Sequence, residues 1–152
     1  MILVSACLAG EECRYDGKHN LVEKVRALVE ENQARIVCPE EWGGLSTPRE
    51  PAEIIGGTGE DVLNGRAKVL TRTGQDVTKE YIQGAEKVLA LAKEIDAEYV
   101  VLKERSPSCG SSMIYDGSFS HQRIPGEGVT TALLRKEGFK VISEEELADL
   151  LF

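Results

Sequence analysis

The stretch Glu98-Tyr99-Val100-Val101-Leu102-Lys103-Glu104-Arg105-Ser106-Pro107-Ser108-Cys109-Gly110 joins an unbroken apolar run to a turn of small and polar residues, with one cysteine at its end. A short apolar run rich in β-branched residues and bounded by turn signals reads as a strand. Residues 98–103 are therefore expected as a central strand, with Cys109 just beyond its carboxyl end.

Outward from this run, apolar strands alternate with helical patterns, which predicts an α/β fold with a mainly parallel sheet flanked by helices in a Rossmann-like, three-layer arrangement. Residues 2–6 make the first strand and Arg35-Ile36-Val37-Cys38 the second, with further strands near 67–71 and from Phe139 to Ile142. Asn20 is expected to cap a helix through about residue 32, with Glu23 as its reciprocal partner and Leu21, Val25, Leu28 and Val29 along one face. Asp76 or Thr78 opens an amphipathic helix to about Ile95, burying Tyr81, Ala85, Val88, Leu89 and Ala92. A helix is expected near 128–137, and Ser143-Glu144-Glu145-Glu146 is a capping box for a closing helix. Pro39 to Gly65, rich in Gly, Pro and Glu, is longer than a connection requires and is expected as a lid.

A chain of 152 residues can bury one substantial core, so a single domain over residues 1–152 is expected. No apolar run approaches the roughly 18 residues that span a bilayer, and Met1 to Cys7 lacks the basic leader of a signal peptide, so a cytoplasmic location without a membrane role is expected. A formal charge of -8 opposes a nucleic-acid polymer as partner and favours a small molecule or a protein.

Cys7, Cys38 and Cys109 each stand at or just beyond the carboxyl end of an expected strand, and in a parallel sheet those ends share one edge, where open α/β sheets bind ligands. Disulfides do not suit a cytosolic chain. A purely structural buried cysteine fits poorly before Pro39 or amid the Ser and Gly around Cys109. Structural zinc sites usually show paired C-x2-C knuckles, whereas Cys7 and Cys13 stand as C-x5-C followed by two lone cysteines. A nucleophilic thiol needs a base, and His19 and His121 are expected in polar loops. An iron–sulfur cluster held by three thiolates, with one iron open, is a further candidate from spacing alone.

Ser-Ala-Cys-Leu-Ala-Gly at 5–10, Cys-Arg-Tyr-Asp-Gly at 13–17, Cys-Pro-Glu-Glu-Trp-Gly-Gly-Leu-Ser-Thr-Pro-Arg at 38–49, Lys-Glu-Arg-Ser-Pro-Ser-Cys-Gly at 103–110 and Ile-Tyr-Asp-Gly-Ser-Phe at 114–119 recur in fixed order from Met1 to the final helix. Together they resemble the bacterial thiouracil desulfurase family, long catalogued as a domain of unknown function. The resemblance implies a [4Fe-4S] cluster bound by Cys7, Cys38 and Cys109, whose remaining iron takes the sulfur of a thiolated pyrimidine such as 2-thiouracil. Cys13, at a position where the family often has another residue, stays outside the cluster, and Leu8-Ala9 departs from the family's Leu-Leu.

On that resemblance, Glu40 is the expected general base beside the cluster, and Ser106 the hydroxyl that orients substrate or relays a proton. Glu41 and Glu50 read as cap or surface carboxylates, and Ser106-Pro107-Ser108 reads equally as a turn. No nicotinamide or flavin is implied, and sulfur leaves as hydrogen sulfide. Arg14, Arg49, Lys103 and Arg105 are expected to offset the charge of cluster and thiolates, and Trp42 to stack on a heterocycle or anchor its loop. Tyr15-Asp16-Gly17 and Tyr115-Asp116-Gly117 are turn signals. Gly126-Glu127-Gly128-Val129-Thr130-Thr131 opens a helix whose free N–H groups suit an anion or carbonyl oxygen. A non-catalytic iron–sulfur sensor or sulfur carrier, and a zinc or thiol hydrolase, are the competing functions. Loss of activity on removing Glu40 or Ser106, with the cluster intact, separates the enzyme from the former, and metal content separates it from the latter.

Overall fold

The computed structural model describes residues 1–6, 19–46, 49–103 and 107–151. Four strands, β1 (Ile2–Ser5), β2 (Ala34–Val37), β5 (Val100–Leu102) and β8 (Val141–Ser143), form a parallel sheet in the order β2-β1-β5-β8. Side chains alternate across a strand. Ile2, Val4, Ala34, Val101 and Ile142 therefore turn to one face, where Val25 of α1 (His19–Glu30) and Leu147 of α6 (Glu144–Leu151) complete the cluster. Leu3, Val37, Val100, Leu102 and Val141 turn to the other, against Val88 and Ala92 of α4 (Thr78–Glu94) and Leu134 of α5 (Val129–Lys136). Helices on both faces of a parallel sheet give the expected three-layer α/β architecture.

The central strand is the expected one. β5 lies inside the sheet, fully buried, with Leu3 opposite Val100 and Val4 opposite Val101. The chain leaves β1 toward β2 on one side and returns to β5 on the other, so the strand order reverses at the β1/β5 boundary, the kind of point where open sheets form a ligand crevice. There the Lys103 amide donates to the Ser5 hydroxyl at 3.0 Å, and Lys103 Nζ pairs at 2.8 Å with buried Glu144 at the end of β8. The last two strand ends and the first are thereby tied together along one edge.

The expected lid is instead structured. Within residues 39–65 lie α2 (Pro39–Trp42), β3 (Ala52–Ile55) and α3 (Gly59–Leu63), and β4 (Lys68–Thr71) pairs antiparallel with β3 rather than joining the main sheet. The stretch before α5 holds an antiparallel hairpin, β6 (Met113–Tyr115) and β7 (Arg123–Pro125), with Asp116-Gly117 in its turn. These pieces share a second core, in which Ile54, Val69, Ile114 and Val129 pack with Tyr81 and Ala85. Short apolar stretches among Gly, Pro and Glu carry too little pattern to be read as strands, but together they bury one face.

Smaller differences concern boundaries. The first helix begins at His19, so Asn20 lies in its first turn rather than before it, and His19 is helical rather than in a loop. The last strand runs Val141–Ser143, displaced toward the capping box, in which Ser143 and Glu146 exchange amide-to-side-chain hydrogen bonds at 3.2 Å each. Among the described residues no helix is long and apolar enough to cross a membrane.

Candidate active site

Cys38 follows β2 directly and stands at the N-terminal boundary of α2 with extended backbone, while Pro39 occupies the first helical position, where its missing N–H costs nothing. The Trp42 amide closes the turn onto the Cys38 carbonyl at 2.9 Å. This four-residue helix is too short to be stable alone and takes its place from α4. Gly43 and Gly84 lie so close to the opposite backbones that a methyl group on the first would overlap the Glu80 carbonyl and on the second the Pro39 carbonyl. Lys87 Nζ caps the other end, on the Trp42 carbonyl, at 2.8 Å. Trp42 itself packs against the cluster beneath the sheet, which makes it an anchor of α2.

Cys109 is held by α5. Its carbonyl accepts from the Thr131 hydroxyl at 3.0 Å, the Val129 and Thr130 amides donate to the Pro107 and Ser108 carbonyls at 2.8 Å each, and the Gly128 amide donates to Gly110 at 2.9 Å. The helix entry expected to hold a ligand's oxygen is therefore spent on the protein's own cysteine loop. A side chain on Gly128 would collide with Ser108 and Cys109, so glycine permits the contact. The Ser108 hydroxyl lies 2.6 Å from Thr130 Oγ1 with both residues fully buried, which makes Ser108 part of the scaffold.

Glu40 extends from the first turn of α2 and pairs with Arg49, Nη2 to Oε2 at 3.4 Å, both side chains less than a third exposed. Tyr81 of α4, 3% exposed, completes the cluster. Burial pushes its phenol well up, and Glu40 adds to this while Arg49 partly offsets it. Cys109 and Cys38 act on the same phenol, so both thiols lie within its electrostatic reach. Burial also raises the Cys38 thiol, partly offset by the Glu41 amide, and Glu40 and Glu41 push it the same way. A directly bound soft cation reverses that balance, since a coordinating thiol is deprotonated.

Cys38, Glu40, Arg49 and Cys109 of the expected set thus lie toward one edge of the parallel sheet, Cys38 directly after β2 and Cys109 after β5, with Lys103 at the end of β5 in its pair with Glu144. Cys7, Cys13, Arg14, Arg105 and Ser106 lie outside the described residues, and so does the first Tyr-Asp-Gly turn. Among the described residues no three His, Cys, Asp or Glu side chains group closely enough to hold a metal ion. Cys38 and Cys109 supply thiols, the donor type that binds iron–sulfur centres, and Ser5, two residues before Cys7, ends on the same edge. This donor set fits an iron–sulfur centre. Glu50 accepts from the Thr73 hydroxyl at 3.0 Å, whereas Glu41, exposed and expected at the periphery, hydrogen-bonds Cys38 through both its amide and its side chain. His121 lies in the hairpin turn, edge-on to Tyr115. Tyr81 was legible only as part of an apolar helix face; the signal for more was a lone phenol hydroxyl on that face, which needs a polar neighbour when buried.

Residues 2–146 match the model of the 2-thiouracil desulfurase family. The chain belongs to that family. Desulfurase family relatives include the uncharacterized protein YbbK of Bacillus subtilis (strain 168), 64% identical over 99% of this chain and 100% of its own. A solved member, the [4Fe-4S]-dependent thiouracil desulfidase TudS, superposes with a TM-score of 0.81 at 46% identity, over 98% of this chain and 93% of its own. The shared desulfurase architecture is thus the α/β fold described above, with its mainly parallel sheet.

Proposed function

We propose that this protein, read as one domain over residues 1–152, removes sulfur from a thiolated pyrimidine base with a [4Fe-4S] cluster held by Cys7, Cys38 and Cys109. The observation that supports the reading is the position of Cys38 after β2, beside the Glu40–Arg49 pair, and of Cys109 after β5, at the carboxyl ends of two strands of one parallel sheet, in a chain related to a [4Fe-4S]-dependent thiouracil desulfidase. In the net exchange the oxygen of one water replaces the thiocarbonyl sulfur, and the sulfur leaves with both of that water's protons as hydrogen sulfide; protons move and no electrons are transferred. When bound, the cluster supplies a thiophilic Lewis acid that polarises the carbon–sulfur bond.

The chain's own residues manage the rest. Glu40, two residues from Cys38, accepts a proton from the attacking water, and Arg49 fixes the direction of its carboxylate. Ser106 orients the heterocycle or returns the proton to the departing sulfur; Ser108 is already engaged with Thr130. Lys103 and Arg49 bring positive charge to an edge where thiolates gather. The substrate is a small heterocycle, since the charge of -8 opposes a polynucleotide, and the setting that suits an oxygen-sensitive open cluster is the reducing cytoplasm.

The test is iron and acid-labile sulfide content of anaerobically purified protein, with sulfide release from 2-thiouracil. Cys7→Ala, Cys38→Ala and Cys109→Ala should each abolish cluster and turnover, and Cys13→Ala should spare both. Zinc without iron, or no cluster after reconstitution, overturns the proposal.

A further inference from the structure

We infer that Glu144 is a positioning residue for sulfur removal: it holds the Lys103 ammonium at the carboxyl edge of the sheet, where that charge stabilises the negative charge gathering on the departing sulfur. This rests on the desulfurase reading above and adds to it a residue that reading does not use. Glu144 opens α6 directly after β8, and its Oε2 lies 2.8 Å from Lys103 Nζ. The glutamate side chain is 1% exposed and the lysine 39%, so a buried carboxylate grips a cation that still reaches solvent. Lys103 follows β5, and in the order β2-β1-β5-β8 it therefore stands between the end of β1 and Glu144. Its amide donates to the Ser5 hydroxyl at 3.0 Å, two residues before Cys7, and Cys109 follows six residues after Lys103.

The pair is an expensive way to fasten a strand to a helix. Taking a carboxylate out of water costs several kcal/mol, and an apolar pair of similar volume often holds two elements together as well or better. Nor does the register of β5 depend on it: Leu102 faces Ser143 in the ladder with β8, and the Lys103 amide is tied to Ser5. What an apolar pair cannot supply is a cation at a fixed point. A lysine ammonium on its flexible four-carbon stem otherwise ranges through solvent, and a buried anion confines it. At this edge thiolates and a departing sulfur add negative charge to a chain of formal charge -8. A preorganised cation there acts on charge as it develops, which lowers the barrier without tightening the binding of the neutral substrate.

Glu144→Met, Lys103→Met and the double variant, each reconstituted anaerobically, test this by sulfide release from 2-thiouracil and by the reduction potential of the cluster. In each single variant kcat should fall roughly three- to thirtyfold with KM unchanged. The double variant should be no slower than either, because Glu144 acts through Lys103. It also leaves no buried charge unpaired, so its comparison with Glu144→Met stands even where Lys103→Met alone does not fold. The potential separates holding a cation from simply adding charge. Removing a carboxylate makes a site more positive and by itself raises the potential, whereas losing the ammonium from the edge lowers it. Glu144→Met should therefore lower the potential, against the sign of its own charge change. A potential that rises or stays in Glu144→Met, an unchanged kcat, or losses that multiply in the double variant overturns the inference. A cluster-loaded wild type that releases no sulfide overturns the desulfurase reading instead, and the sign of the potential shift still reports on Glu144.

Discussion

The hydroxyls of Ser108 and Thr130 meet at 2.6 Å where neither residue reaches solvent, linking the turn before Cys109 to the first turn of α5. Thr130→Val keeps the side chain's shape and removes the partner, so urea denaturation should show a loss of about 1–3 kcal/mol. Adding Ser108→Ala should recover part of it, giving a coupling energy of roughly 0.5–3 kcal/mol in the double-mutant cycle. An unshifted midpoint in the single variant would show that the contact carries no stability.

Two glycines separate close approach from conformational strain. Gly84→Ala drives a methyl into the Pro39 carbonyl and must displace α2, with Cys38 and Glu40 on it. The expected cost is about 1–3 kcal/mol, with weaker cluster retention. Gly74→Ala meets no atom within 4 Å but holds φ at +90°, so it should cost about 1–2 kcal/mol and leave retention unchanged. Equal retention in the two variants would refute the role given to the α2–α4 contact.

Glu40→Gln preserves volume and removes the basic carboxylate. Sulfide release should fall about 10²–10⁴-fold at unchanged iron content. Arg49→Met should act in the same direction by a smaller factor, since it frees Glu40 from its 3.4 Å partner without removing it. A cluster-loaded Glu40→Gln enzyme with full turnover would assign the base elsewhere.

The α3 entry provides a pH test. The Thr58 amide, at 2.9 Å, and the Arg66 side chain, at 3.1 Å, hold the Asp61 carboxyl below its ordinary value, the amide contributing most. A carboxyl lowered in the folded state stabilises above its unfolded pKa, near about 4, and that contribution is lost as pH falls through the folded value. Wild-type stability should therefore fall more steeply below about pH 4 than that of Asp61→Asn. Parallel profiles from pH 2 to 5 would remove Asp61 from the acid response.

Much of this was legible because it is periodic. The run Val100-Val101-Leu102, the face of α4 and the capping box at Ser143 are each specified by neighbours in sequence, and their placement on strand ends brings Cys38 and Cys109 to one edge. β3 and β4 were not legible as a pair, since four-residue strands find partners through long-range packing: Ile54 is buried by Val69 and Ile114 rather than by anything near it. The α5 entry was recognised as a source of amide donors, but which oxygen would take them depended on where the Pro107–Ser108 turn came to lie. Tyr81 reads as core because its ring is core, and only the pull of Glu40 and Arg49 on its phenol sets it apart from its neighbours on α4.

The fastening of Pro107, Ser108, Cys109 and Gly110 to α5 also bears on how the protein acquires metal. A chelating arm that must be ordered during assembly subtracts the entropy of its ordering from affinity, whereas an arm already immobilised presents its thiol at high effective concentration. On the proposed ligand set Cys109 is such an arm, and half-buried Cys38, next to the turn of α2, is the more accessible of the two described thiols. On the proposed ligand set, the Cys109 side of the site is built by the fold, through α5, and does not depend on metal for its shape.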